Sequence, residues 1–494
     1  MSRCRCRRGM TLVWTAVTLM VLIGIVGLSI DWAKIALNVH QMQNAADAAA
    51  LAGAQIVKLH AADARSRAVA FAAANRAENL DVAVDPNPAN NPNGEVVLGR
   101  WLRQTEVFVP TLVSPNAVRV RVNRPGQAMG APALAMLFGP IFGVTTVDAS
   151  RFATAMSQGT TGAGIICLAE DPSTLPGWSN QGTGLLLDGT AEIDLRGTDP
   201  VTGEPMLGDI QINGTATVSP WSALRAGGEI WAADIDVVGM TNPVPTDSKW
   251  EDIYANPLAP PSVNTGAATV EDPLADLPAP AFGPATIPLD SSGSPYTYTI
   301  TDATVAAAGG ELTLQPGYYP GGISVSKDAS RIVLTGGPDA IYVFGGGTDG
   351  KSGLVMSGGT LVGHGVMIYI SGDPTGAATG TVTKYGKVDV GGKGILDVQS
   401  RGDADYLPSL NGADGMAIWQ DRDNHNYAKI IGTSDSIISG TLYFPENATE
   451  VGGNAQQMGN QLLAAALWVH GKISLGIAYD GRNAVETIQA VIVE

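Results

Sequence analysis

Between Gly9 and Ile30 the chain carries no Asp, Glu, Lys or Arg, and Thr11–Ile30 consists mostly of Val, Leu, Ile, Met and Ala. At 1.5 Å per helical residue such a run reaches across the roughly 30 Å hydrocarbon core of a bilayer. The pattern predicts a transmembrane helix over residues 10–30. The helical texture continues past Asp31 to about Asn79, where Ala dominates, Pro is absent and Gly53 is the lone glycine. Ile35, Val39, Met42, Ala46, Ala49 and Gly53 recur at spacings of three and four, which puts them on one helix face. Small residues on that face let a neighbour approach closely. The neighbour is either another chain, giving lateral assembly, or this chain's own following strands.

Further along, the period changes. Asp85-Pro86-Asn87-Pro88 opens a Pro/Asn stretch that ends the helical region. Alternating apolar and polar positions then predict strands at Glu95–Leu102, Glu106–Val113 and Ala117–Asn123. These would cover the helix end and form a small α+β unit over 31–157, comparable by analogy alone to the globular part of a pilin. From Gly164 onward, short apolar runs are each closed by Gly, Asn or Asp. Examples are Gly184–Leu187, Ala191–Leu195, Asp209–Ile212, Ala216–Val218, Gly322–Val325, Ser330–Leu334, Ala340–Phe344, Gly353–Met356 and Val366–Ile370. Strands this short, punctuated this often, predict the coils of a right-handed parallel β-helix (a β-solenoid), with a first portion over 160–240 and the main portion over 296–494. Because the repeats are irregular, a pair of β-sandwiches is the alternative. Residues 241–295 are Pro-rich and are read as a surface excursion or a linker, since Pro lacks the ladder donor. The fold class expected is mainly β, behind an N-terminal transmembrane helix that continues into a long helix.

Composition narrows the function. A chain of 494 residues exceeds one ordinary core, and 61 Gly with only 15% charged residues suits a loop-rich β body. The net charge of −17 argues against a nucleic-acid partner, which calls for a basic surface. Arg3, Arg5, Arg7 and Arg8 form a basic tail over 1–9, and the positive-inside bias places it in the cytoplasm with the body exported. A cleaved signal peptide is the rival, but its apolar region is shorter and ends at small residues, whereas this one runs into Asp31-Trp32-Ala33-Lys34. Cys4 and Cys6 read as incidental thiols, with lipidation or redox activity as the alternative. Cys167 has no partner on its own side of the membrane, so no disulfide framework follows.

The Arg-rich start, the apolar helix, Asp31 and the run Gln41-Met42-Gln43-Asn44-Ala45-Ala46-Asp47-Ala48-Ala49-Ala50-Leu51-Ala52-Gly53-Ala54 resemble the TadE/TadG-like proteins of the tight-adherence (Flp) pilus system. The resemblance continues through Asn116–Val122, Ala135-Met136-Leu137-Phe138-Gly139 and Val144–Ala155, covering about residues 1–157. Processed pseudopilins of that system usually carry Glu five residues after the cleavage glycine. Counting from Gly9, that place is Trp14, so the chain looks more like the unprocessed TadG type. Asp272-Pro273-Leu274, Leu314–Ile323, Gly363–Val366 and Gly440–Pro445 resemble the C-terminal region of many TadG-like chains, with Ile166-Cys167-Leu168-Ala169 as its opening. In that region the cysteine often pairs downstream; here no later cysteine exists. The resemblance implies a non-catalytic, membrane-anchored component of Flp pilus assembly or adhesion. Its partners would be other pilus-assembly or pseudopilin-like membrane proteins met through the N-terminal helix, and the inner membrane, with a surface glycan as a further candidate. The body would lie in the periplasm or at the cell surface.

Several motifs tempt a different reading. Many TadG-like chains carry a metal-binding von Willebrand A domain, and Asp290-Ser291-Ser292-Gly293-Ser294 fits its Asp-x-Ser-x-Ser pattern, but the flanks read as strand and Pro-rich loop. Gly363-His364-Gly365 matches one element of a polygalacturonase, without the paired acids that glycoside hydrolysis needs. Asp403, Asp405, Asp414, Asp421 and Asp423, with Asn424 and Asn426, supply hard oxygen ligands for a weak Ca²⁺ site, yet their spacing fits no EF-hand and a solvated loop is the plainer reading. Arg401-Gly402-Asp403 is too short to carry an adhesion claim. Asn213-Gly214-Thr215 and Asn447-Ala448-Thr449 fit the glycosylation sequon, a pattern with little meaning in a bacterial chain. The five histidines, His40, His60, His364, His425 and His470, are scattered. No catalytic, cofactor or metal residue is assigned. The alternative function is a tethered or secreted polysaccharide-binding or polysaccharide-degrading β-helix protein. Carboxylates converging on one groove would favour the enzyme; an aromatic row drawing on Trp221, Trp231, Trp419 and Trp468 would favour the binder.

Overall fold

The structure is a computed structural model that describes residues 8–494 apart from 58–60, 103–105, 113–114, 126–131, 159–162, 181, 199–204, 219–220, 245–248, 250–262, 276, 338–339, 373–383, 401–414, 434, 454–456, 472–473 and 478–488. It is mainly β, with one long apolar helix at the N-terminal end, and divides into two compact units, Met1–Gln158 with Ile488–Glu494, and Gly159–Thr487.

In the first unit, helix α1 spans Arg8–Ala54 and α2 spans Ala61–Ala73. At 1.5 Å per residue α1 is about 70 Å long. The helix does not run unbroken to Asn79, as the sequence pattern had suggested. It turns after Ala54, where the β-branched pair Ile56-Val57 weakens helix propensity, and α2 packs back on α1. Beyond α2, Arg76-Ala77 pairs antiparallel with Leu80-Asp81 around Glu78 and Asn79, both at positive φ. A sheet lies against these helices in the order Val107–Pro110, Val96–Leu102, Ala117–Arg124, Ala149–Gln158, Gln489–Ile492, antiparallel throughout. Alternation sorts its side chains. Val96, Leu98, Val118, Val120 and Val122 pack on the helices, while Val97, Trp101, Phe108, Ala117 and Met156 form a cluster of their own. The last strand, Gln489–Ile492, falls outside the 296–494 portion in which the sequence reading counted it, because it finds a partner edge in Ala149–Gln158.

The second unit is built from short strands stacked in parallel. One ladder runs Glu311–Leu314, Arg331–Leu334, Thr360–His364, Ile395–Gln399, Ile437–Ser439, Gln457–Met458. Register places Leu312, Ile332, Leu361 and Leu396 in one buried column. In the 18-stranded sheet, Tyr342, Ile368, Ile418, Leu442, Leu462, Ile165, Ile210, Ile235 and Val263 form another. Strand Ala163–Cys167 therefore has two neighbours: Asp209–Ile212, which follows it, and Gln461–Gly471 from far along the chain. The chain enters in the middle of the stack, runs to one end at Val263–Thr265, and resumes towards the other end at Ile300–Thr301. Parallel pairing throughout these ladders differs from the antiparallel sheets of a β-sandwich, the alternative weighed from sequence.

The Pro-rich stretch is only partly an excursion. Thr241–Asn242 and Val263–Thr265 are ladder strands, because neither contains Pro and their N–H donors are free to pair. From Val270 to Ile287 the chain lies over the sheet as a strap. Leu274, Leu277, Phe282 and Ile287 cover Tyr318, Tyr369, Trp419 and Tyr443, with the Phe282 and Tyr318 ring centroids 4.9 Å apart. Arg422 fastens the strap by donating to the carbonyls of Leu274 and Leu277 and to the Tyr443 hydroxyl.

Candidate functional site

Helix α1 has two surfaces of different character. From Leu12 to Ile30 its side chains are uncharged, mostly apolar and exposed, except at Gly24 and Gly27, and the helix is long and apolar enough to cross a membrane. From Met42 to Ala54 the small face is buried within the unit: Met42, Ala45, Ala46, Ala49, Ala50 and Ala54 are fully covered by α2 and the sheet. Gly53 sits so close that an added Cβ would lie 3.2 Å from the Ala64 carbonyl and from Val118. The chain's own elements thus fill the stripe from Met42 to Gly53 that sequence left open to a partner.

Where these two surfaces meet, Asp31 is almost fully buried. Its carboxylate accepts the backbone N–H groups of Leu137 at 2.7 Å, Phe138 at 2.9 Å and Gly139 at 2.7 Å. One turn on, Lys34 donates to the Ala135 carbonyl at 2.8 Å and pairs with Glu78 at 2.7 Å. The buried Arg124 completes the network, 2.8 Å from Glu78 and 3.1 Å from the Ala77 carbonyl. The hydrogen bond from Lys34, opposed by burial and reinforced by Arg124, holds the Glu78 carboxyl below the ordinary glutamate range. These contacts pin the loop between Leu134-Ala135 and Thr146-Val147 against the helix. Phe138 fills the notch at Gly27, where a Cβ would come within 2.8 Å of the ring, and Phe142 reaches Gly24.

Two family models match this part of the chain. One, described as "Putative Flp pilus-assembly TadE/G-like", matches residues 9–55; the other, "Putative Tad-like Flp pilus-assembly", matches residues 41–155. Residues 9–155 belong to the TadE/G-like Flp pilus-assembly family. The TadE/G-like region holds α1, α2, the pinned loop and four of the five sheet strands. No curated protein matches the chain. Among solved structures, the competence-associated pilin ComZ from Thermus thermophilus aligns at 12% identity over 83% of this chain and 85% of its own, with a TM-score of 0.20, too low to bear on the fold.

Beyond the TadE/G-like region, the motifs singled out from sequence are held in structural roles or lie outside the described residues. Cys167 is fully buried, and burial pushes its thiol up to about 12. Asp290 closes an exposed turn, accepting from the Ser292 N–H and hydroxyl, the Ser294 N–H and the Tyr298 hydroxyl, bonds that pull its pKa down to about 2. His364 pairs with Asp397 at 2.8 Å across adjacent strands. Asp421 accepts the Tyr369 and Ser371 hydroxyls, while Asn424 and Asn426 donate to the Gly386 carbonyl. Both sequon asparagines are buried: Asn213 donates to the Leu168 and Val270 carbonyls, and Asn447 to those of Asn424 and Asn426. Cys4, Cys6, His60, Arg401-Gly402-Asp403, Asp405 and Asp414 lie outside the described residues. Among the described residues no group of three or more His, Cys, Asp or Glu is placed to hold a metal ion.

The two features that would favour a glycan-active protein fare differently. Trp419 is fully buried beneath the strap and cannot join a surface row, and Trp231 lies under the Arg196 guanidinium at 4.0 Å. Carboxylates do gather at a cleft of about 410 Å³ bordered by Glu170, Asp171, Glu271, Asp272 and Glu446. Asp171 is engaged by the Ser173 N–H and hydroxyl, and Asp272 by the Tyr443 hydroxyl and the Leu274 N–H. The two Glu-Asp dipeptides were the sequence signal for this cleft, as the charge-free run 125–147 beside Asp31 was for the pinned loop.

Proposed function

We propose that the protein is a membrane-anchored, non-catalytic component of Flp pilus assembly or adhesion. In this reading residues 10–30 span the inner membrane with the arginine-rich start in the cytoplasm, and the body lies in the periplasm or at the cell surface. The observation that carries the proposal is the exposed apolar half of α1, continuous with a family-matched unit whose own core is complete without it. A helix apolar nearly all round, and covered by its own chain only at Gly24 and Gly27, needs lipid or another apolar helix around it. The arginines at positions 3, 5, 7 and 8 support the orientation.

The second unit is read as a right-handed parallel β-solenoid, its first portion over 160–240, the strap within 241–295 and the main portion from 296 to the end of the unit at Thr487. Support comes from the all-parallel ladders, the in-register apolar columns and the right-handed preference of parallel crossovers. Its role would be mechanical: a long surface displayed outside the cytoplasm. Partners are pilus-assembly or pseudopilin-like membrane proteins, which would meet the exposed face of α1. No catalytic, cofactor or metal residue is proposed.

The test is genetic and biochemical. Cells lacking the protein should lose pilus-dependent attachment. The full chain should restore it and fractionate with membranes, while a chain beginning at Asp31 behind a cleavable export signal should do neither. Restoration by the unanchored chain would overturn the reading.

A further inference from the structure

We propose that the loop from Leu134 to Val147 is a second membrane-contacting element, an apolar wedge that enters the lipid beside α1 and takes acyl chains as its partner. The inference rests on the reading of residues 10–30 as the membrane span.

The loop has the surface of a membrane segment. No charged residue occurs from Pro125 to Val147. Leu137, Ile141, Phe142 and Val144 are 67%, 75%, 55% and 46% exposed, side by side on one short turn. Large apolar side chains clustered this way on a water-facing surface are unusual and mark a contact site. Here the neighbouring surface is the bare apolar face of α1, so the two form one continuous apolar surface. Between them runs an open groove of about 820 Å³, bordered among others by Met20, Ile23, Gly24, Phe138, Ile141 and Phe142.

Depth follows from the helix. Phe138 sits at Gly27 and Phe142 at Gly24, four and seven residues before Asp31. At 1.5 Å per residue Phe142 lies about 10 Å further towards the cytoplasmic end of the span than Asp31. With Asp31 and Trp32 at the hydrocarbon boundary, the turn Gly139–Phe142 is inside it.

Backbone polarity is the obstacle to any loop at that depth, because an unpaired N–H in hydrocarbon costs several kcal/mol. Here seven of the loop's donors have acceptors. Met136 donates to the Thr145 carbonyl, and Leu137, Phe138 and Gly139 donate to Asp31. Pro140 has no donor, while Ile141, Gly143 and Val144 donate to the carbonyls of Phe138, Pro140 and Gly139. Asp31 thus supplies acceptors where the loop cannot supply its own. The charges that flank the loop, Lys34, Glu78 and Arg124, join on the side of α1 that leads away from the span.

The test uses the full chain with Cys4→Ser and Cys6→Ser, Cys167 being fully buried, reconstituted in phosphatidylglycerol–phosphatidylethanolamine vesicles. A spin label is placed at Ile141→Cys or, as a second variant, Leu137→Cys. Val17→Cys on the span and Glu106→Cys on the exposed rim serve as references. Collision with oxygen, which partitions into lipid, is compared with collision with a water-soluble nickel chelate. The wedge predicts that positions 141 and 137 behave like 17, favouring oxygen several-fold, while 106 favours nickel. If 17 favours oxygen but 141 and 137 favour nickel, the wedge is wrong and the anchor stands. If 17 also favours nickel, the anchor reading fails and the wedge with it. Low accessibility to both reagents at 141 and 137 means that protein covers the loop, which also overturns the proposal.

Discussion

The Asp31 carboxylate accepts the Gly139 N–H at 2.7 Å, joining residues 108 positions apart at the point where the bare part of α1 gives way to the packed part. Asp31→Ala removes the acceptor for three backbone donors at once and should release the loop. In detergent, chymotrypsin should then cleave after Leu137, Phe138 or Phe142 several-fold faster than in the parent chain. Asp31→Asn, which keeps one carbonyl oxygen, should fall between. Equal cleavage rates in all three would show that the loop is held by packing alone.

The small face of α1 makes a second prediction. Gly53→Leu places a side chain against the Ala64 carbonyl, Ala68 and Val118. Overpacking of this kind costs about 1–3 kcal/mol. Protease resistance of the first unit against urea should shift to lower urea by a matching amount. An unchanged midpoint, with assembly lost instead, would mean that the face serves a partner.

A third prediction concerns the strap. Leu274 is 2% exposed beneath the Arg422 contacts. Leu274→Ala should destabilise the second unit by about 2–5 kcal/mol, the range for a buried leucine cut to alanine. Arg422→Lys keeps the charge but lacks the fork that reaches two carbonyls and a hydroxyl, so it too should lower the urea midpoint. A normal midpoint in both variants would reduce the strap to a passive cover.

Much of this fold was legible in the sequence because it depends on local periodicity. The strand at Asp209–Ile212 and that at Gly353–Met356 coincide with the short runs closed by Gly, Asn or Asp that mark them. The apolar run and the Asn-Ala-Ala-Asp-Ala-Ala-Ala-Leu-Ala stretch led to the family that the comparisons bear out. What stayed hidden are pairings over long separations. Nothing local says that Gln489–Ile492 returns to Ala149–Gln158, or that Ala163–Cys167 lies beside Gln461–Gly471. The break after Ala54 is faint in the sequence because only the β-branched pair Ile56-Val57 marks it, between Ala-rich stretches that satisfy helix propensity on both sides. The role of Asp31 was hidden because its three donors are main-chain groups, which leave no mark in residue type.

A fourth prediction is one of pH. Burial works to raise the pKa of Asp302, but donors from Ser330, Lys327 and Ser326 outweigh it and bring the group to about 2. A carboxyl depressed in the folded state stabilises it above the unfolded pKa, here 3.8, and that contribution is lost as pH falls towards 2. Between pH 4 and 2 the parent chain should therefore lose more stability than Asp302→Asn, measured by urea unfolding of the second unit. Parallel losses would remove Asp302 from the account.

The central claim is an anchored protein with its body outside the cytoplasm, and topology tests it most directly. An epitope tag is placed after Glu494, and protease is added to intact cells, spheroplasts and lysates, with N-terminal sequencing of the mature chain. The account predicts a tag cut in spheroplasts or, for a body at the cell surface, already in intact cells, together with a retained arginine-rich start and a membrane-bound chain. A tag cut only in lysates, or a chain found in the medium without residues 1–30, would contradict it.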